Sequence, residues 1–151
     1  MRSFKDSKDR QWDINFNIGA AIRIKQKTGY DLLKMATDED DQMPVLELLL
    51  SDITVAEVIC AVISDQLSEK NVTEDDFFGS LDGKCFADAN IAFMEELKDF
   101  FLKNGKTAMV EIITQTQQQL NQSMNLDADQ IAKAIQEQSG MQSGSQPELS
   151  G

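Results

Sequence analysis

Residues 44–67 read PVLELLLSDITVAEVICAVISDQL and concentrate the aliphatic side chains of the chain. If this stretch is helical, part of it forms one wide apolar stripe that further residues extend around the helix. The stripe residues are Val55, Val58, Ile59, Val62 and Ile63, and those that extend it are Ile53, Ala56, Cys60 and Leu67. A helix that is apolar around most of its circumference must be covered on several sides. The stretch therefore predicts the central element of a helical core.

The same stretch contains signals for two helix starts. Pro44 suits a first helical turn, where its missing N–H costs nothing. Thr54 and Glu57 form a capping box, in which the hydroxyl and the carboxylate satisfy free backbone donors reciprocally. We therefore predict a short helix over residues 44–50, a break, and a longer helix from Val55.

Length and composition indicate one ordinary domain. The chain has 151 residues, enough to bury a real core. No apolar run is long enough to span a bilayer, and the charged amino terminus lacks the apolar region of a signal peptide. We expect a soluble protein of the cytoplasm, with no membrane partner. Its two cysteines, Cys60 and Cys85, cannot build a disulfide framework, so we expect both to be reduced and structural.

The absence of histidine restricts the chemistry of the chain. It removes the commonest general base near neutral pH, the commonest metal ligand and every catalytic triad that depends on imidazole. The four consecutive acids at residues 38–41 lack the spacing, the central glycine and the bidentate glutamate of a calcium loop, and they favour a solvated loop. We therefore expect that this protein is not an enzyme and that it has no catalytic residue, metal or cofactor.

The formal net charge of −12 is unevenly distributed. Residues 1–34 contain eight basic and four acidic side chains, hence +4, so residues 35–151 carry −16. We expect no binding to nucleic acid, because a polyanion needs Lys and Arg to release its counterions. The positive end has two interpretations: it docks on the negative flank of another copy or of a partner, or it belongs to a solvated surface.

The amino-terminal segment predicts a β-hairpin. Apolar and polar residues alternate over residues 12–18, the period of a strand with one buried face. Residues 3–5 can pair with this strand across a turn at residues 6–9. A two-stranded hairpin is marginal alone, so its Trp12 face must dock on the central helix.

A helix is predicted next, over residues 18–27. Asn17 suits its N-cap, and Gly29 supplies the left-handed residue that ends it. The residues expected to recur on one side of this helix are Ile18, Ala21, Ile22 and Lys25.

Further helices are predicted in the second half of the chain. Thr73 can cap a short helix whose first turn is acidic. Residues 85–103 show apolar side chains at spacings of three and four, which is typical of an amphipathic helix. Residues 107–124 carry a thinner stripe on a background of Gln, Thr and Asn. A stripe that thin suits pairing with another helix rather than immersion in a core.

These elements predict a mainly α fold, in which a small N-terminal β-hairpin packs on a bundle of about four to five helices. We assign residues 1–104 to the hairpin and helical core, and residues 105–137 to C-terminal amphipathic, Gln-rich helices. Residues 138–151 are too polar to offset their ordering entropy, so we expect a disordered tail.

Several short motifs resemble a known family. They are Phe4-x-Asp6 with Trp12-x-Ile14, Thr28-Gly29-Tyr30-Asp31-Leu32-Leu33, Val72-Thr73-Glu74-Asp75-Asp76-Phe77, and a second helix ending in Phe100-Phe101. With the aliphatic helix, they resemble small tail assembly chaperones of tailed bacteriophages and prophages, over roughly residues 3–102. The resemblance implies a mostly helical, non-enzymatic protein of the bacterial host cytoplasm. Such a protein coats the tape measure protein during tail assembly, keeps its apolar helices soluble and often self-associates.

The sequence also suggests a contact surface. Met side chains fit irregular surfaces, and a Gln-rich helix with a thin apolar edge suits a protein that grips another helix. We expect a homo-oligomer that binds the tape measure protein. The residues predicted for self-association or partner binding are Phe100, Phe101, Met109, Ile113, Leu120 and Met124.

Two other function classes remain open. An acidic inhibitor that mimics DNA would present the carboxylates of residues 35–151 to a basic nucleic-acid-binding partner. A carrier similar to acyl carrier proteins would attach its prosthetic group to Ser80, which precedes Leu81 as in that family's motif. Gly79 stands where the motif has Asp, which argues against the carrier.

Overall fold

The hairpin and the helices follow one another in a computed structural model that describes residues 2–37 and 43–120. The strands are β1 (Arg2–Lys5) and β2 (Gln11–Ile14). The helices are α1 (Ile18–Thr28), α2 (Leu32–Thr37), α3 (Met43–Leu50), α4 (Asp52–Val62), α5 (Ser64–Lys70), α6 (Glu74–Gly79), α7 (Gly83–Lys103) and α8 (107–120). The chain divides into two compact units, Met1–Gln117 and Gln118–Gly151, and only residues 118–120 of the second are described.

The predicted fold class is confirmed, since the chain is mainly α with an N-terminal antiparallel hairpin. The described residues form eight helices, more than the four to five predicted, and two short breaks divide the aliphatic stretch into α3, α4 and α5. The acidic loop at residues 38–41 and the tail at residues 138–151 lie outside the described residues. No helix in the described ranges is both long and apolar enough to cross a membrane.

The hairpin pairs as predicted, with Phe4 opposite Trp12. Both side chains are buried, and both contact the ring of Phe77 on α6 edge-to-face, at centroid distances of 6.3 Å and 5.1 Å. Strand β2 is shorter than expected and ends at Ile14, because Asn17 already caps α1. The hairpin therefore docks its aromatic face on α6, and β1 also lies against α7.

The turn of the hairpin is organised by one buried carboxylate, that of Asp6. It accepts hydrogen bonds from the backbone amides of Lys8 and Arg10, both at 3.0 Å, and from Arg10 Nε at 2.8 Å. Trp12 Nε1 donates to it at 2.8 Å and Ser80 Oγ at 3.2 Å. These bonds join the hairpin to the end of α6.

Helix α1 begins at the predicted Ile18 and ends at Thr28, one residue later than predicted, with Asn17 and Gly29 as the predicted caps. The Asn17 side chain accepts from the amide of Ala20 at 2.8 Å, and Gly29 ends the helix with a φ of 83°. The side that carries Ile18 and Ile22 is not the one that faces the core, because both residues are exposed. The buried residues of α1 are Ala20, Ala21 and Ile24.

Helix α4 is central, as predicted, and it contacts α1, α3, α5, α6 and α7. Its N-cap is Ser51 rather than Thr54, since Ser51 Oγ accepts from the amide and the hydroxyl of Thr54, at 3.4 Å and 3.0 Å. A second break, which the sequence analysis did not predict, follows at Ile63. There Arg23 Nη2 donates to the carbonyl of Val62 at 3.0 Å and satisfies an end of α4.

Helices α7 and α8 complete the core. The apolar face predicted for α7 is buried through Ala89, Phe93, Leu97 and Phe101. The interpretation of α8 as a stripe outside the core is wrong for its first turns. Met109, Ile112 and Ile113 are buried and belong to the same core cluster as α4. The thin stripe is sufficient because it meets the apolar core of its own chain.

Candidate protein-binding groove

One face of α4 is open to solvent at its start, where Ile53 and Glu57 are exposed, and is buried at Cys60 and Ala61. Ile53, Ala56, Glu57, Cys60 and Ala61 recur at spacings of three and four, so they lie on one side of the helix. They line two adjoining open depressions, which we call together the α4 groove. From Ile53 to Ala61 this face is about 12 Å long, from a rise of about 1.5 Å per residue.

The first depression of the α4 groove is mostly apolar and has a volume of about 380 Å³. Its walls come from α4, from the end of α6 and from the start of α7. The lining residues are Asp52, Ile53, Ala56, Glu57, Phe78, Leu81 and Phe86. Ile53 is 75% exposed and Phe78 is 36% exposed. Apolar side chains exposed next to each other in a concave surface are typical of a protein or ligand contact.

The second depression has a volume of about 330 Å³ and shares Glu57 and Phe78 with the first. It continues along α4 to Cys60 and Ala61. Lys27 of α1 and Glu74 of α6 form an ion pair at 3.4 Å in its lining. This pair marks the polar end of the α4 groove.

The edge of the α4 groove is acidic. Asp52 and Glu57 are exposed, and neither forms an ion pair within residues 2–37 and 43–120. Asp52 lies in the first turn of α4, where the helix dipole favours a negative charge. The groove therefore offers apolar contact together with two free carboxylates, which favours a partner with apolar and basic side chains.

Cys60 does not supply a nucleophile to the groove. Burial, together with the negative charge of Glu74, raises the pKa of its thiol to about 12. A thiol with that pKa stays protonated near neutral pH, and the thiolate is the reactive form. The described part of the chain also contains no group of three or more Cys, Asp or Glu side chains placed to hold a metal ion.

The residues predicted for partner binding do not form an exposed surface together. Phe101, Met109 and Ile113 are buried in the core. Phe100 is half-buried and packs edge-to-face on Phe16, at a centroid distance of 4.9 Å. Leu120 is half-buried. Met124 lies outside the described residues.

Contacts between α7 and α8 explain this burial. Gln117 Nε2 donates to Glu95 Oε1 at 2.9 Å, and Lys98 Nζ donates to Gln117 Oε1 at 3.3 Å. These bonds hold α8 beside α7, with its apolar stripe turned to the core. The side chains of that stripe are thus already in contact with their own chain.

Sequence reasoning assigned Ile53 to the core and gave Phe78, Leu81 and Phe86 no role in binding. One signal was available for Phe78. Adjacent helical residues point about 100° apart, so Phe77 and Phe78 cannot both face the same core contact. Phe77 is fully buried and Phe78 remains partly exposed.

Ser80 is a poor attachment site for a prosthetic group. Its side chain is fully buried, and its one hydroxyl proton is shared between the carbonyl of Phe77 at 2.7 Å and the Asp6 carboxylate at 3.2 Å. This geometry argues against the carrier interpretation.

The positive end of the sequence is largely neutralised within the chain. At least five of the eight basic side chains in residues 1–34 form ion pairs with acids in the described part of the chain. They are Arg2, Lys5, Arg10, Lys25 and Lys27. Arg2 forms two of these ion pairs, with Glu96 at 3.2 Å and with Asp99 at 2.8 Å. The interpretation of this end as a free docking surface is weakened accordingly.

Comparison of the chain with models of known protein families, with curated proteins and with solved structures finds no match.

Proposed function

We propose that this protein is a non-enzymatic tail assembly chaperone, which binds the tape measure protein of a tailed phage or prophage in the host cytoplasm. The observation that supports this proposal most directly is the open depression in which the exposed Ile53 and Phe78 lie beside the carboxylates of Asp52 and Glu57. The motifs in the hairpin, in residues 28–33 and in residues 72–77 resemble those of tail assembly chaperones. A surface that binds another protein is what a member of that family would need.

The shape of the α4 groove suits a helical partner. A face of about 12 Å spans roughly two turns of a bound helix, whose apolar side chains would recur at i, i+4 and i+7. Tape measure proteins, as the resemblance describes them, are long and helical with apolar faces that need covering. Ile53 and Phe78 are the exposed side chains that would contact such a face.

Charge complements this contact. The carboxylates of Asp52 and Glu57 would pair with Lys or Arg on the bound helix, and would steer its approach. The net charge of −12 keeps a complex with an apolar partner dispersed through mutual repulsion. In this function the acidic surface serves solubility, and the α4 groove serves binding.

The test uses a tape measure fragment produced together with the full-length chain. Ile53→Gln removes the most exposed apolar side chain of the groove without changing the net charge. The matched control is Ile22→Gln, at a residue that is 51% exposed on α1 outside the groove. Burial of one Ile side chain is worth roughly 1.5–3 kcal/mol, so we expect Ile53→Gln to weaken binding about tenfold or more.

The readouts are the Kd for the fragment and the fraction of the fragment that stays soluble. We expect Ile22→Gln to match the parent chain in both. Equal Kd values for the parent chain and for Ile53→Gln would overturn the role of the groove. Binding that depends only on salt concentration, and not on Ile53, would favour the acidic DNA-mimic inhibitor instead.

A further inference from the structure

The two edges of the N-terminal hairpin differ in whether their outward-pointing backbone groups have hydrogen-bond partners. On the β2 edge, the Asp13 amide donates to Gln66 Oε1 at 2.9 Å, and Gln66 Nε2 donates to the Asp13 carbonyl at 2.7 Å. The side-chain amide of Gln66 thus takes the place of a neighbouring strand. The β2 edge is closed at this residue.

The β1 edge has no such cover. Ser3 lies opposite Asp13 and Lys5 opposite Gln11, and the outward-pointing amide of Asp13 shows that these are the non-hydrogen-bonded pairs of the hairpin. The N–H and C=O groups of Ser3 and Lys5 therefore point away from β2. Both residues are exposed, and their backbone groups have no hydrogen-bond partner among the described residues.

A groove runs beside this open edge, between β1 and α7, with a volume of about 430 Å³. We call it the β1 groove. Its lining residues are Arg2, Ser3 and Phe4 of β1 and Asp88, Ile91, Ala92 and Glu95 of α7. Ile91 is 57% exposed and supplies the apolar floor. Asp88 and Glu95 lie one turn before and one turn after Ile91 on the same face of α7.

We infer that the β1 groove binds an extended basic segment of another polypeptide, which adds to β1 as a third strand. The free N–H and C=O groups of Ser3 and Lys5 supply the backbone hydrogen bonds of that strand. Alternate side chains of the added strand face α7, where an apolar residue covers Ile91. A Lys or Arg two residues along lies near Asp88 or Glu95.

The charges that line the β1 groove determine which kind of extended segment it binds. Asp88 is exposed and forms no ion pair within the described residues, and Glu95 is shared between Lys98 and Gln117. Arg2 is already held by Glu96 and Asp99. The free charge in the groove is therefore negative, and an added strand with Lys or Arg is favoured over an acidic one.

The same charges disfavour the two other occupants. A second copy that paired β1 with β1 antiparallel would bring the Asp88 side of one α7 toward the Glu95 side of the other, which is repulsive. Residues 121–151 of this chain carry four acids and one Lys, hence −3, and so have the wrong sign. The segment therefore comes from a different polypeptide, and it binds independently of the α4 groove.

The test uses the full-length chain and a short synthetic peptide of alternating Lys and Val as the probe. We expect the backbone amide protons of Ser3 and Lys5 to become protected from hydrogen exchange when the peptide binds. A peptide of the same sequence with N-methyl groups on alternate residues cannot donate along one edge. Two such peptides can be made, with the N-methyl groups on the odd or on the even residues. We expect at least one of the two to bind more than tenfold more weakly than the parent peptide.

Two substitutions test the groove itself. Asp88→Lys reverses the free charge, and Ile91→Gln removes the apolar floor, so we expect each to weaken peptide binding about fivefold or more. Leu102→Gln is the matched control, because Leu102 is 59% exposed on α7 outside the groove, and we expect no change. If circular dichroism shows that Asp88→Lys does not fold, Asp88→Asn is used in its place.

The inference is overturned if the Lys-Val peptide leaves the Ser3 and Lys5 amides unprotected. It is also overturned if both N-methylated peptides bind as well as the parent peptide. Equal binding of a peptide that alternates Glu with Val would remove the charge argument. Dimerisation of the parent chain that Ile91→Gln abolishes would assign the edge to a second copy instead.

Discussion

At the scale of single residues, the Asp6 carboxylate contributes most to the hairpin. It is buried, and five hydrogen bonds converge on it from Lys8, Arg10, Trp12 and Ser80. An ionised carboxylate is tolerated there because each of its oxygens is satisfied. The Phe4-x-Asp6 and Trp12-x-Ile14 motifs therefore have a structural meaning, since the Asp6 side chain receives the indole N–H of Trp12.

Asp6→Asn tests this contribution. The amide keeps one acceptor oxygen but leaves Arg10 without its charged partner, so we expect a loss of about 2–4 kcal/mol in the free energy of unfolding. Urea unfolding followed by circular dichroism measures it. The control is Asp9→Asn in the same turn, where the side chain is exposed and we expect a change below about 0.5 kcal/mol. Equal losses in the two variants would contradict the role of Asp6.

Asp6 also gives the protein a pH dependence. Burial alone would raise the pKa of Asp6, but hydrogen bonds from Trp12, Arg10 and the Lys8 amide outweigh it and lower the pKa to about 2, from 3.8. Because the folded pKa is the lower one, the stabilisation is complete above about pH 4 and is lost as the pH falls to about 2. The shift corresponds to roughly 2 kcal/mol.

This pH dependence is measured as a difference. We expect the gap in unfolding free energy between the parent chain and Asp6→Asn to be constant near neutral pH, and to shrink between about pH 4 and pH 2. A difference isolates Asp6 from other carboxylates, which titrate in both proteins. A gap that stays constant to pH 2 would show that the pKa of Asp6 is not lowered.

At the scale of elements, the start of α4 decides whether Ile53 faces the solvent. Ser51 ends its own turn by donating its amide to the Leu48 carbonyl, and its hydroxyl caps α4. We predict that Ser51→Ala costs about 1 kcal/mol of stability and that Thr54→Ala costs less than half of that. Thermal unfolding of both variants checks the order. The reverse order would restore Thr54 as the cap.

Local signals in the sequence predicted elements well. Asn17 and Gly29 mark the ends of α1 because each acts on backbone within three or four residues of itself. Features that depend on distant partners were not predictable in this way. The break at Ile63 is stabilised by Arg23, which is 39 residues away from Val62 in the chain. The closing of the β2 edge likewise needs Gln66, 53 residues from Asp13.

The candidate site was less predictable than the fold. Periodicity shows that a helix face is apolar, but it does not show whether another element covers that face. For this reason the sequence analysis placed Ile53 of α4 in the core and the α8 stripe with Met109 and Ile113 outside it, and both predictions were wrong. The first is open and the second is buried. Packing of the whole chain decides between these outcomes.

At the scale of the whole molecule, charge and apolar exposure are separated. Most of the basic residues near the amino terminus pair with acids of the same chain, and residues 35–151 carry the surplus of acids in the sequence. Three of the exposed large apolar side chains lie in the grooves, Ile53 and Phe78 in the α4 groove and Ile91 in the β1 groove. This arrangement suits a protein that stays dispersed while it holds an apolar partner.

The most direct test of this function maps the tape measure fragment on the full-length chain by NMR. We predict that the resonances of Ile53, Ala56 and Phe78 shift on binding, while those of Ile22 and Leu102 stay in place. The shifts should follow a one-site titration curve whose Kd equals the value measured independently for the fragment. Saturating binding that leaves Ile53, Ala56 and Phe78 unshifted would contradict the proposal that the α4 groove holds the partner.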